Sequence, residues 1–250
     1  TTPILEDINN QYMMNSLLNS LSKVTKVLLI INIAFFVAAI LYPQLNQWLA
    51  LYYFESPLHK PYQTVTHVFM HAGFSHLLFN MYALAMFGSA IEKQMKQRQY
   101  IFLYFFSALG AFLLHMAVVW FQLSDVPTDI ISQMQTEGAQ LLASNRNYSD
   151  AYLGDVNLQL NRAIVGASGA IMGVLAAFAY LFPNTELRLI FLPIPIKAKY
   201  FVPIYMLIEL FLGVNNFEWD NIAHFAHLSG ALFGFLALIL LKIKRKNSSK

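Results

Sequence analysis

The sequence predicts an all-α, polytopic membrane protein, a bundle of six transmembrane helices, and three observations carry that expectation. Of the 250 residues, 57% are hydrophobic and only 12% are charged, far from the balance of a soluble globular domain. A span needs roughly 20 mostly apolar residues, and six apolar stretches lie at about 24–43, 74–92, 100–123, 164–183, 199–214 and 221–242. The positive charges are also sorted. With the N-terminus on the cytoplasmic side, only Lys60, Arg146 and Arg162 of the 16 Lys and Arg residues fall on the opposite side, the asymmetry of the positive-inside rule.

Taken in order, residues 1–23 form a polar lead, expected as a short cytoplasmic or interfacial helix. Glu6 and Asp7 precede the first apolar run and no small-residue cleavage site follows it, so that run is expected to be a retained span. Residues 24–242 then make one membrane domain. The loop 44–63 sets Trp48, Tyr52, Tyr53, Phe54 and Tyr62 among Pro57 and Pro61, and such rings favour the headgroup level. The connection 124–163 is long and acidic, with one short amphipathic helix expected from Asp129 and a break near Gly138. Residues 243–250 form a basic tail, read as an orientation anchor. The chain has no cysteine, which excludes disulfides, thiol nucleophiles and thiolate metal sites.

Several polar residues fall inside or beside the apolar runs. Ser168 sits between Gly166 and Gly169, with Gly173 a turn further on, and small residues at this spacing let helices approach closely. That pattern fits a packing face as readily as a nucleophile. His227 is followed by Gly230 and Gly234, a second small-residue face, and an ionisable side chain in a span usually meets a partner or a water-filled cavity. Packing the two faces together brings imidazole to hydroxyl, and a neutral imidazole suits the activation of a weak serine nucleophile. His224, one turn earlier, is a competing base.

His76 and Asn80 are four apart, so on a helix they point the same way. Both can donate hydrogen bonds to a developing oxyanion; helix-to-helix bonding, or a metal site from His67 and His71, are the alternatives. No carboxylate accompanies those histidines as a zinc motif requires, and neither metal nor cofactor is expected. All six aspartates lie outside the expected spans, which removes a paired-aspartate protease. Glu92 closes the second span and is expected to bond neighbouring backbone. Glu209, alone in an apolar stretch near the end of the fifth, is expected at the cavity or at a gate for substrate entry, as are Met172 and His71. His115 is expected at a helix contact.

Together, His71-Ala-Gly-Phe-Ser-His76-Leu-Leu-Phe-Asn80, Gly88-Ser-Ala-Ile-Glu92, Gly166-Ala-Ser168-Gly169 and Ala226-His227-Leu-Ser-Gly230-Ala-Leu-Phe-Gly234 resemble the successive signatures of rhomboid intramembrane serine proteases. The resemblance covers about 24–242. It implies a Ser168/His227 dyad with no acidic third member, and an oxyanion hole from His76, Asn80 and the Ser168 backbone N–H. It also implies cleavage of single-span membrane proteins in a water-filled cavity open to the non-cytoplasmic side. Two positions depart from the family pattern: Met172 stands where many members carry an aromatic residue, and the Trp-Arg pair of the first external loop is missing. The expected setting is a bacterial inner membrane with both termini cytoplasmic, with the lipid bilayer but no nucleic acid as partner. The alternative to an enzyme is a catalytically silent rhomboid-like chaperone or client-binding protein.

Overall fold

The computed structural model describes residues 21–189, 192–215 and 223–245. The expected lead helix before residue 21 and most of the basic tail therefore lie outside the described residues. All six apolar stretches form helices, but four are long and apolar enough to cross a membrane: α1 (Lys23–Leu41), α2 (Phe74–Glu92), α3 (Gln97–Leu123) and, later in the chain, residues Ala198–Asn215. The other two, Ser168–Leu181 and His224–Leu240, are shorter. These are the helices that carry Ser168 and His227. At 1.5 Å per residue the first is only about 21 Å long, and most of its residues are buried by other helices rather than by lipid.

The start of α1 has no cap of its own. Ser22 makes no side-chain cap bond; instead Glu92, at the end of α2, accepts from Val24 N–H at 2.9 Å, Thr25 N–H at 2.8 Å and the Thr25 hydroxyl at 2.9 Å. A helix N-terminus leaves its first N–H groups unpaired and carries partial positive charge, so a buried carboxylate is stabilised there. The expected structural reading of Glu92 holds, and the bonds lock α1 to α2.

The long connection is not a loose loop. It folds as a helical hairpin, α4 (residues 128–143) and α5 (Ala151–Asn161). The helix does not break at Gly138 as expected; it widens into a π-turn over Met134–Gly138. Gly138 is required for a different reason, since a side chain there would overlap the amide of Asn157. Asn157 and Asn161 donate to the carbonyls of Gly138 and Met134 at 3.1 and 2.9 Å, and Asn161 accepts from Ser56 at 2.7 Å. The hairpin thereby clamps the loop 44–63 from outside, with Tyr53, Leu51, Met134 and Leu160 forming a second apolar core. The aromatic residues of that loop divide: Tyr52 and Tyr53 are buried, Trp48, Phe54 and Tyr62 exposed.

Helix α6 (Ser168–Leu181) follows, then β1 (Glu186–Leu189) and β2 (Leu192–Lys197), an antiparallel pair with Glu186 opposite Lys197 and Leu187 opposite Ile196. This small sheet corrects the all-α expectation. The run Leu192-Pro-Ile-Pro-Ile disfavours a helix, because each proline lacks an N–H and clashes with the preceding turn; both strands of a two-stranded ribbon are edges, where proline is tolerated. Helices α7 (Ala198–Asn215) and α8 (His224–Leu240) complete the fold.

The centre is the contact of α3, α6 and α8. A side chain at Gly230 would strike the Gly169 carbonyl, and one at Gly234 the Gly173 backbone. Lipid tails are as apolar as leucine, so helix association in a bilayer relies on close packing and hydrogen bonds. The Ser229 hydroxyl supplies one, donating to the Gly110 carbonyl of α3 at 2.7 Å. Outside this centre, Ile30, Ile33 and Val37 on α1 and Leu207 and Phe211 on α7 are exposed, as lipid-facing residues are.

Candidate active site

Ser168 is the first residue of α6, and the segment before it is held in place from two sides. Leu51 and Ile164 exchange both backbone hydrogen bonds, at 2.9 and 2.8 Å, and Gly166 N–H donates to the His67 carbonyl at 3.0 Å. Gly166 has φ +128°, a conformation that favours glycine. A side chain there would also sit 2.8 Å from Cε1 of His76. Gly166 thus serves the turn before the helix and clears space for His76, rather than belonging to the packing face as expected. Gly169, Gly230 and Gly234 do form that face.

The glycine contact between α6 and α8 brings His227 to the serine, with Nε2 2.9 Å from Ser168 Oγ. His224, the competing residue, meets a carboxylate instead. Its Nδ1 lies 2.6 Å from Oε2 of Glu209, while Nδ1 of His227 lies 3.1 Å from Oε1 of the same carboxylate. Glu209 is only 4% exposed. This corrects two expectations together: the pair has an acidic neighbour after all, and Glu209 sits behind the histidines instead of at a gate. The sequence flagged Glu209 as an isolated carboxylate in an apolar helix, but placed it by its distance from the helix end. The distance along a helix says nothing about which way the residue faces until its neighbour, α8, is in place.

In front of Ser168 and His227 opens a cavity of about 1030 Å³, with His76, Asn80 and Met172 also on its wall. The Asn80 side-chain nitrogen is buried without a hydrogen-bond partner among the described residues, a spare donor on the cavity that Ser168 also lines. Met172 fills the position of the missing aromatic ring, and His227 is held by hydrogen bonds at both ring nitrogens. His71, expected on the cavity, is buried behind it at 3% exposure and packs edge-on against the His76 ring at 5.1 Å. Burial, and next the neighbouring His76, lower its pKa to about 4, so it is neutral at physiological pH. His67, whose carbonyl anchors Gly166, is likewise pushed down to about 4 by burial; its Nδ1 donates to the Gln63 carbonyl at 2.7 Å.

Sequence comparison gives the family. A family model described as Rhomboid domain matches residues 58–244. The chain belongs to the rhomboid family. Relatives of this rhomboid protein include an uncharacterized mitochondrial rhomboid protein of Schizosaccharomyces pombe, 40% identical over 31% of the chain and 20% of the relative. Rhomboid protein 1, mitochondrial, of Saccharomyces cerevisiae is 27% identical over 67% of the chain and 38% of its own length. The human presenilin-associated rhomboid-like protein, mitochondrial, is 34% identical over 49% of the chain and 33% of its own length. The chain therefore spans well under half the length of these curated relatives. Their mitochondrial names overturn the expected bacterial plasma membrane. Charge sorting distinguishes the two sides of a bilayer but does not say which compartments they border, and the bacterial reading went beyond it.

Proposed function

We propose that this rhomboid protein is a six-span intramembrane serine endopeptidase of a mitochondrial membrane, cutting single-span membrane proteins in or near their transmembrane segments. The observation that carries the reading is the 2.9 Å separation of Ser168 Oγ and His227 Nε2 at the wall of a large cavity. A general base must lie within about 2.6–3.2 Å of the proton it takes, and this one does. A packing serine has no need of an imidazole in that position. The mitochondrial setting rests on the names of the relatives.

In the proposed reaction the substrate's carbonyl carbon enters the cavity beside Ser168. His227 Nε2 takes the hydroxyl proton as Oγ bonds to the carbon, and the carbonyl π pair moves onto oxygen. The His76 ring, the Asn80 amide and the Ser168 N–H at the start of α6 stabilise that oxyanion, each such donor being worth about 2.7–4 kcal/mol. The imidazolium then gives its proton to the leaving amide nitrogen as the C–N bond breaks. A water molecule, deprotonated in turn by His227, releases the acyl group and restores Ser168. The test is twofold: a fluorophosphonate should label Ser168, and Ser168→Ala should abolish cleavage of a transmembrane reporter in liposomes. Labelling elsewhere, or wild-type cleavage by Ser168→Ala, ends the protease reading; no adduct and no cleavage by the wild type favours a silent client-binding protein.

A further inference from the structure

Glu209 is a nearly buried carboxylate on α7 whose two oxygens meet two different imidazoles of α8, one turn apart. A charge placed there is costly unless paired. An ionised carboxylate can only accept hydrogen bonds, so both Nδ1 atoms facing it carry protons. For His227 this fixes the tautomer: Nδ1 holds the hydrogen, and the lone pair lies on Nε2, the nitrogen 2.9 Å from Ser168 Oγ. The 2.6 Å contact to His224 is as short as a charge-assisted bond. It occupies the second oxygen and leaves the first for His227. Tyr205, one turn before Glu209, also interacts with the carboxylate; it lies on the cavity wall.

We propose that Glu209 is the positioning residue of this site, holding His227 in the tautomer and orientation that accept the Ser168 proton, with His224 holding the second carboxylate oxygen. The inference rests on the protease reading above. When Ser168 gives its proton to Nε2, the imidazolium has N–H bonds on both sides, and its charge develops against Glu209, which stays ionised. The proton goes on to the leaving nitrogen and never reaches the carboxylate. The site then works with a third member recruited from α7, not with Ser168 and His227 alone.

Glu209→Gln is the decisive variant, because the amide keeps the shape but supplies one acceptor and one donor. With its oxygen toward His224, its NH₂ faces His227 and demands the opposite tautomer. The expected result in liposomes is a kcat lower by roughly 10²–10⁴-fold, the upper end being the loss known for a wrong-tautomer catalytic histidine, with KM within about threefold. Fluorophosphonate labelling of Ser168 should slow in parallel. Glu209→Asp should recover part of the kcat, since it restores the charge and the acceptor. Nitrogen-15 spectra of labelled histidine should place the His227 proton on Nδ1 in the wild type and on Nε2 in Glu209→Gln, a readout that a purely structural tie would not move. Glu209→Gln with wild-type kcat, or a loss carried by KM, overturns the inference while the protease reading stands, provided that Ser168→Ala is inactive. If Glu209→Gln does not fold, the wild-type spectrum decides alone: a His227 protonated on Nε2 at neutral pH overturns the proposal.

Discussion

The two walls of the site are built differently. On the α8 side, His227 is bonded at both ring nitrogens, to Ser168 and to Glu209, and its helix is pressed against α6 at two glycine contacts. On the α2 side, Asn80 keeps an amide nitrogen with no hydrogen-bond partner among the described residues, and His76 accepts a long 3.5 Å contact from the Ala72 N–H and packs against the His71 ring. In the proposed reaction the half that transfers the proton is thus fixed before substrate arrives, whereas the half proposed for the oxyanion holds its donors in reserve. Such an arrangement suits the proposed reaction. A base must already be aimed at its proton, but a donor contributes most when its best partner exists only in the transition state.

The comparison breaks most severely if the fixed half is removed. Ser168→Ala and His227→Ala should each lower reporter cleavage by more than about 10⁴-fold without lowering the Tm in detergent by more than a few degrees; retained cleavage by either variant would remove the distinction between the halves. The reserve half should cost less. Asn80→Ala should lower kcat by about 10²–10³-fold, equivalent to roughly 2.7–4 kcal/mol, with KM little changed. An effect confined to KM would make Asn80 a substrate-binding group instead. His76→Ala should behave similarly.

The glycine contact tests whether helix packing is what fixes His227. Gly230→Val places a side chain against the Gly169 carbonyl and should destabilise the protein by roughly 3 kcal/mol, read as a Tm loss together with slower fluorophosphonate labelling. If activity survives with the Tm unchanged, the helices are not in the register described.

The smallest effect concerns the anchor behind Gly166. Burial holds His67 at about 4, below its ordinary 6.5, so the folded protein binds fewer protons than the unfolded chain between those values. Stability from this group is complete above pH 6.5 and is lost as the pH falls toward 4, reaching roughly 2 kcal/mol at pH 5. His67→Gln should flatten part of the decline in Tm over that range; an unchanged slope would show that acid sensitivity comes from elsewhere, His71 being the next buried histidine.

Much of this was legible in the residues. Six apolar stretches locate six helices, since backbone groups in lipid must be satisfied within the segment. The small-residue faces beside Ser168 and His227 foretell a contact, because only glycine permits that approach. Other features depended on position in space. Leu192-Pro-Ile-Pro-Ile sits between two apolar runs, and it pairs with residues 186–189 as a ribbon. Gly138 reads as a helix breaker and is in fact the seat of Asn157.

The sequence by itself determined the membrane class, the order of the helices and the residue types able to do serine chemistry, because hydropathy and side-chain chemistry are local properties. Which residues meet was decided by tertiary structure alone. The choice of His227 over His224 as the group at Ser168 depends on the rotation of α8 about its axis, which the glycine contacts with α6 set. The presence of Glu209 behind it depends on where α7 lies against α8. Two histidines one turn apart and a carboxylate on another helix contain no such choice until the helices pack.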